Sequence, residues 1–393
     1  MTLHSDEIRW PIGHLPFIWN PLRTPANPPG LPNTLPFTLG LDRRTGSLVQ
    51  ESNPQVSKAL AQAYALGSMI TGQMDETGIG RRYADDFLEF IGAAGDAPRF
   101  QGQRVLEVGC GNGYLLHRVA QLGATVLGLE PGEHGQAKFD VPVIRDFFPS
   151  PQMAGRFHKI LLFGVLEHVE QPIEFLEQIL ALLHPGGEAL LGVPDCAPYI
   201  QAGDLSCLIH EHWSYFDEGS LRRALEQAGG APIHVCPSGF GGLLYARVTR
   251  PESVGADRSS AGSTDGVHEY ESRLDHFRER AERGVRAIAA YINAVTSTGE
   301  TVGVYVPGRI INALFAGGVV GRAIRFFDDN PMLAGTYFPG VDRPVESRAA
   351  LIDDPTPHVL IMSRSFGDTI AAELRSLLPE TTVIRTWHDL FEG

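Results

Sequence analysis

The sequence predicts an α/β protein in which one large domain, built on a mainly parallel sheet, lies between a small N-terminal region and a second, smaller α/β domain. Three observations carry this. Between Gln103 and Arg247 strand-like runs (RVLEVG, TVLGLE, VPVIRD, KILLFGV, EALLGVP, GLLYARV) alternate with helix-like ones (YLLHRVAQLG, IEFLEQILALL), which signals crossover connections. A stretch rich in Ser, Gly and Asp, from Pro251 to Gly266, has the composition of a linker. Beyond it a long polar helix, roughly His268 to Val295, leads into another strand–helix series (TVGVYV, INALFAGGVV, AIRFFDD, HVLIMS, DTIAAELRSLL, TVIRTW).

The segments are therefore expected at 1–95, 96–250 and 268–393, and a chain of 393 residues is long enough for two or three cores. Up to Asn33 the N-terminal part contains seven prolines, each fixing φ and removing a backbone donor, so it reads as an extended or turn-rich entry that packs on something else. From Pro54 to about Ala93 the spacing in VSKALAQAYALGSMI and YADDFLEFIGAA is helical, as in a lid or scaffold.

Composition narrows the function. A hydrophobic content of 43% with 20% charged residues is ordinary for a globular protein, and a formal charge of −14 argues against a nucleic-acid surface, which needs a basic footprint. The four cysteines, Cys110, Cys196, Cys207 and Cys236, form no CxxC pair, so neither a zinc finger nor a disulfide framework is expected. The opening MTLHSDEIRWPIGHLP lacks a basic segment followed by an apolar one, and no apolar run approaches the ~20 residues of a membrane span. The expected setting is a reducing cytoplasm, with no membrane and no nucleic-acid partner.

The strongest motif is Val105-Leu106-Glu107-Val108-Gly109-Cys110-Gly111-Asn112-Gly113 at a strand-to-helix turn, where glycines let the backbone bend tightly and approach a ligand. GCGNGY lacks the third glycine of a dinucleotide GxGxxG, and a carboxylate at Glu107 suits a cationic ligand better than a pyrophosphate. Cys110 reads as a small loop residue. About twenty residues on, Glu130 ends a strand where an acid can accept both ribose hydroxyls, and Asp146, closing VPVIRD, is placed to meet an adenine amino group. With VLEHVEQP after the fourth strand and HPGGEALLGVP before the fifth, the run from Arg104 to Pro194 resembles the class I methyltransferase fold, a Rossmann-like domain. That resemblance implies S-adenosylmethionine as cofactor and S-adenosylhomocysteine as product. It implies a cofactor set of Glu107, Gly109, Gly111, Asn112, Glu130, Pro131, Asp146, Phe147, Val165 and His168. Another nucleotide in a Rossmann-like domain is the alternative.

The acceptor side points to Cys207-Leu208-Ile209-His210-Glu211-His212-Trp213-Ser214-Tyr215-Phe216, after the fifth strand, at the end of the sheet where α/β ligands bind. The HxH spacing could suit a metal, but a metal site needs three or four ligands and no partner cluster stands beside it, so no metal is expected. A surface or core-satisfied histidine pair is the plainer alternative. With SLVQ, HEHWSYF, FFDDNPMLAGTYFPGVDRPV and HVLIMSRSFGDTI, the chain resembles the sugar C-methyltransferases. The resemblance implies His212 as the base that removes a proton from a carbon next to a carbonyl, with Glu211 as its partner. His210 stands beside them, and Tyr64 falls where family members place an active-site tyrosine. Histidine titrates near neutrality, which suits the role. The implied acceptor is a small molecule, a nucleotide-linked keto-deoxysugar.

Three departures bear on that acceptor. The family's N-terminal zinc site uses two CxxC pairs, whereas this chain has no cysteine before Cys110, and Leu41 to Gln50 fills the place of the second pair. No zinc is expected, and packing must hold that region instead. Ile209 stands where the family has tyrosine, and VPGRIINAL lacks the family's lysine-glycine-asparagine pattern. Two other readings therefore stay open: C-, O- or N-methylation of a non-sugar metabolite, and a ligand-binding scaffold without catalysis.

Overall fold

The computed structural model describes residues 9–65, 74–92, 100–132, 139–250 and 265–391. The chain folds into two units that do not follow the three successive segments expected from the sequence. Within the described residues, the first holds Gly40–Ala197 and Glu211–Glu271, and the second holds Ile8–Leu39, Pro198–His210 and Ser272–Gly393. Residues 1–95 are thus divided between the two rather than forming a domain of their own. The expected linker lies mostly outside the described residues, as does part of the helical run after Ala65.

The first unit is organised by a seven-stranded sheet: β1 (Arg104–Val108), β2 (Thr125–Leu129), β3 (Val143–Ile144), β4 (Phe157–Phe163), β5 (Leu183–Pro194), β6 (Ile233–Pro237) and β7 (Leu243–Thr249). Their spatial order is β6-β7-β5-β4-β1-β2-β3. β7 runs antiparallel to both of its neighbours, β5 and β6; the pairings among β1 to β5 are parallel. Order and strand directions are those of the class I methyltransferase fold. The sequence reading found six of these strands and missed β6, whose IHVCP carries a histidine and a proline in an edge strand of mixed burial.

Side-chain alternation along the strands fills two core layers. Leu106 and Val108 of β1, Ile160 and Leu162 of β4 and Leu191 and Val193 of β5 pack with the helices Pro172–Ala181 and Glu218–Gln227. Val105, Leu161 and Leu190 pack on the opposite face with the helices Gly78–Phe90 and Tyr114–Gln121. By the same alternation Glu107 points to that second face, towards the helix that follows the glycine turn.

The second unit contains five parallel strands, β8 (Val302–Tyr305), β9 (Ile324–Phe327), β10 (Val345–Glu346), β11 (His358–Ile361) and β12 (Val383–Thr386), in the order β10-β9-β8-β11-β12. The helix Asp265–Ser297 precedes it. The proline-rich entry is more ordered than its composition predicts. Trp10–Pro16 is a strand, antiparallel to a second strand from Trp10↔Leu39 to Pro16↔Thr34. Its two prolines are tolerated because it is an edge strand, where a missing N–H breaks no second ladder. The entry is then held by the DDNPxxxGxYxPG stretch. Leu22 and Tyr337 exchange backbone hydrogen bonds, and the Gly340 amide donates to the Pro25 carbonyl. No helix among the described residues is long and apolar enough to cross a membrane.

Candidate active site

The glycine turn joins β1 to the helix Tyr114–Gln121. Gly109, Gly111 and Gly113 all take left-handed φ (72°, 53° and 83°), which L side chains adopt at a cost. A Cβ at Gly109 would lie 2.7 Å from Cγ2 of Val165, so the turn packs directly on the segment after β4; at Gly111 a Cβ would meet nothing within 4 Å. The loop is therefore tight on the protein side and open on the other. The Asn112 side chain holds the turn, with Oδ1 accepting from the Tyr114 amide and Nδ2 donating to the Met74 carbonyl. Cys110 is buried and its thiol pushed upward by burial, as befits a filler. A Cβ on Gly128 would come 2.5 Å from its sulfur.

Glu130 stands one residue past β2. Its Oε2 accepts the Gly111 amide at 3.0 Å and its Oε1 the Gly132 amide at 2.9 Å, so two charge-assisted bonds aim the carboxylate across the mouth of the turn. Pro131, half-buried, starts the descent from it. Glu107 takes the Leu116 amide, and its Oε2 is buried without a hydrogen-bond partner among the described residues. Burial, and secondarily the charge of Glu130, raise its carboxyl well above the usual range. Asp146 lies two residues beyond the short β3 and is already engaged, by the Phe147 amide at Oδ1 and the Ser150 hydroxyl at Oδ2. The Phe147 ring is 60% exposed and meets Tyr64 edge-on at 6.4 Å.

The second cluster comes from three distant segments of the first unit. Tyr64 sits on the helix Pro54–Ala65, Glu167 and His168 on a 3-10 turn (Leu166–His168) after β4, and Glu211 and His212 ahead of the short strand Ser214–Tyr215. Backbone bonds fix this last segment. The Trp213 amide donates to the Glu167 carbonyl, the Gln50 amide to the Trp213 carbonyl, and both Gln50 Nε2 and the Tyr215 hydroxyl to the His212 carbonyl. Leu48 and Val49 of SLVQ pair antiparallel with Tyr215 and Ser214. That motif thus acts by holding the histidine segment.

The rings of His168 and His212 meet edge-on at 4.8 Å. His168 Nδ1 lies 3.0 Å from the Glu211 carbonyl, which can only accept, so the hydrogen is on Nδ1 and Nε2 carries the lone pair. Burial lowers this imidazole to about 4. Glu167 and Glu211 are both buried, and one oxygen of each, Oε2, has no hydrogen-bond partner among the described residues. Burial pushes each carboxyl up to about 8, for Glu211 with help from the Glu167 charge. The Tyr64 hydroxyl is raised by burial and then by the charges of Glu211, Glu167 and Glu130, in that order. One hydroxyl therefore feels both the cofactor acid and the pair of acids beside the histidines.

Several sequence expectations need correction. His210, expected beside the base, belongs to the second unit: its ring packs on Phe37 (5.1 Å) and Phe17 (6.0 Å), and its Nε2 lies 3.4 Å from the Leu15 carbonyl. Burial lowers it to about 4, so it is a core histidine. His168, expected on the cofactor, packs its ring against His212, and Val165 backs the glycine turn. The expectation of no partner cluster for a metal also fails, because Glu167, His168 and His212 present donor atoms within 4.8 Å of one another. Glu167 was missed although VLEHVEQP displays it; the sequence shows no sign that its carboxylate turns inward. Where the zinc cysteines would stand, the turn Asp42–Gly46 is closed by Asp42, which accepts from the Arg44 amide and the Thr45 hydroxyl.

Comparison with known proteins places the class. Residues 76–235 match the methyltransferase-domain family, so the first unit carries a methyltransferase domain that uses S-adenosylmethionine. The tRNA U34 carboxymethyltransferase of Idiomarina loihiensis is 37% identical over 153 residues, 34% of this chain and 47% of that protein. The ubiquinone biosynthesis O-methyltransferase of Bordetella avium is 28% identical over 184 residues, 42% of this chain and 74% of that protein. This chain thus spans about half the length of the first relative. The N-methyltransferase NodS from Bradyrhizobium japonicum WM9, solved with S-adenosyl-L-homocysteine, is 17% identical; 50% of this chain and 99% of that chain align at a TM-score of 0.36.

Proposed function

We propose that this protein methylates a small-molecule acceptor after His212 has removed a proton from it. The observation that carries the reading is Tyr64: its ring meets Phe147, beside Asp146 on the cofactor side, edge-on at 6.4 Å, and its hydroxyl is raised by burial and then by Glu211, Glu167 and Glu130. Donor and acceptor clusters are therefore close enough to share one reaction.

The cofactor fits the residues present. Glu130 is already aimed by two amides, the loop is open at Gly111, and Glu107 keeps a buried oxygen in need of a donor. Glu130 would hold the ribose, with Asp146 and the exposed Phe147 serving the adenine. S-adenosylmethionine, when bound, supplies an electrophilic methyl on a sulfonium. Nothing further is required of the protein than to place a nucleophile in line with it and keep water out.

The chain's own residues make that nucleophile. A carbon beside a carbonyl becomes nucleophilic only when a base takes its proton. His212, pinned by Gln50 and Tyr215 through its carbonyl, is the base, and Tyr64 donates to the oxygen on which charge develops. Glu211 orients the acceptor or the imidazole through its unpartnered oxygen. The proton stays on His212 until product leaves and then passes to solvent. The new bond is methyl to acceptor and the broken one methyl to sulfur, so charge is neutralised in the step.

The acceptor favoured by the DDNPxxxGxYxPG stretch is a nucleotide-linked keto-deoxysugar methylated on carbon. A hydroxyl acceptor is the second reading, favoured by the similarity to an O-methyltransferase and by Ile209 in place of the family's tyrosine. Heavy water separates them. A carbon acceptor incubated with the enzyme should exchange its α-proton, and His212→Gln should abolish the exchange. Methylated product formed with no exchange, carrying the methyl on oxygen, would reject the carbon reading.

A further inference from the structure

We propose that Glu167, His168 and His212 form a binding site for a divalent transition-metal ion of the zinc type, and that the ion, once bound, takes His212 out of use as a base. The first part stands on geometry alone; the second rests on the base role proposed above.

The three donor atoms lie within 4.8 Å of one another. Bonds of about 2.0–2.2 Å in tetrahedral geometry put two ligands of one ion about 3.4 Å apart, so donor atoms would have to approach by up to about 1.4 Å, shared between two side chains, to close the site. His168 is prepared for this. Its Nδ1 is committed to the Glu211 carbonyl, which fixes the ring and leaves Nε2 as the lone-pair nitrogen. Metal-bound imidazoles are oriented by the same kind of outer contact. Nε2 stands 3.9 Å from Glu167 Oε1, too far for a hydrogen bond but suited to two ligands sharing an ion.

The independent observation is Glu167 itself. It is 3% exposed, and its Oε2 has no hydrogen-bond partner among the described residues. A buried carboxyl oxygen without a donor is costly, and a cation held by the carboxyl group, through Oε1 or through both oxygens, lowers the cost. Two imidazoles and one carboxylate suit Zn²⁺, Co²⁺ or Ni²⁺, whereas Mg²⁺ and Ca²⁺ prefer all-oxygen sets. Three protein ligands leave a coordination position open. The ion would occupy the nitrogen through which His212 accepts a proton, so metal binding and deprotonation exclude one another.

The test uses the full chain stripped of metal with a chelator. Titration with Zn²⁺ by calorimetry and with Co²⁺ by visible absorption should show one ion per chain, with Mg²⁺ giving neither signal. Glu167→Gln and, separately, His168→Gln should each weaken the ion by at least about tenfold. Cofactor binding by each variant reports that the domain is still folded. Absence of a stoichiometric signal, or a signal unchanged by both variants in folded protein, would overturn the site. A pair at His158 and His184, whose rings lie 4.6 Å apart, would give that second result, and His158→Asn would then remove the signal. None of these measurements needs an acceptor, so failure of the base reading appears separately, as proton exchange that persists in His212→Gln. With both readings intact, Zn²⁺ suppresses exchange and a chelator restores it.

Discussion

The two halves of the proposed active site are built in opposite ways. The cofactor half comes from one short stretch, residues 107 to 130, and its geometry is made by backbone: three left-handed glycines, two amides on Glu130 and a helix entry. The acceptor half draws Tyr64, Glu167–His168 and Glu211–His212 from separated segments and works through side chains, two of which keep buried oxygens without partners. In the first half Glu130 is satisfied before any ligand arrives, with Glu107 Oε2 left without a hydrogen-bond partner among the described residues, whereas the second is left more polar and less complete. That difference is the one expected between a site for a common cofactor and a site tuned to a particular acceptor.

Substitutions can probe the contrast, beginning with the acceptor half. His212→Gln should lower methyl transfer by about 10²–10⁴-fold, the usual worth of a positioned base, while cofactor affinity by calorimetry stays put. A matching loss of cofactor affinity would merge the two halves. Glu130→Ala removes the charged acceptor at the cofactor mouth and should weaken the cofactor by about 100-fold. An unchanged dissociation constant would displace the cofactor from this turn.

Gly109→Ala forces a side chain to φ 72° and against Val165, so the domain should lose about 1–3 kcal/mol in denaturant unfolding. Pairing it with Val165→Ala should recover the steric part and leave the backbone part. The smallest effect is expected at Glu107→Gln. Below about 4.5 the carboxyl is protonated in folded and unfolded chains alike and contributes nothing. As pH rises above that value the unfolded chain releases the proton while the folded one keeps it, so the natural protein loses stability and the amide variant does not. The melting temperatures of the two should coincide near pH 4 and separate progressively towards neutrality. A gap that is constant with pH would mean that Glu107 is ionised in the fold.

How much of this was legible follows from the same division. Glu107, Gly109, Gly111 and Glu130 were readable because the constraint on each is local: a strand end, a tight turn, a loop amide within reach. Gly109 shows where that reading stops, since its contact with Val165 depends on β4 lying beside β1. In HEH the three residues look equivalent on paper, yet His210 is a core residue of the second unit while Glu211 and His212 serve the first. A one-residue change of environment of that kind leaves no trace in composition or spacing. The proline-rich entry was read as extended but not as a paired strand, for a similar reason. Its strand is stabilised by a partner strand on the far side of a long loop, from Pro16↔Thr34 to Trp10↔Leu39, and its prolines disguise it.

The sequence by itself determined the order of strands and helices, the glycine turn with its two acids, and a methyl donor, because hydrophobic periodicity and φ preferences act over a few residues. Only the closed fold brings the Tyr64 ring against Phe147, the His168 ring against His212, and a buried Glu167 carboxyl beside two imidazoles. Those outcomes depend on which side chains the sheet brings within a few ångströms, and burial, which sets their charge, exists only once the chain has closed around them.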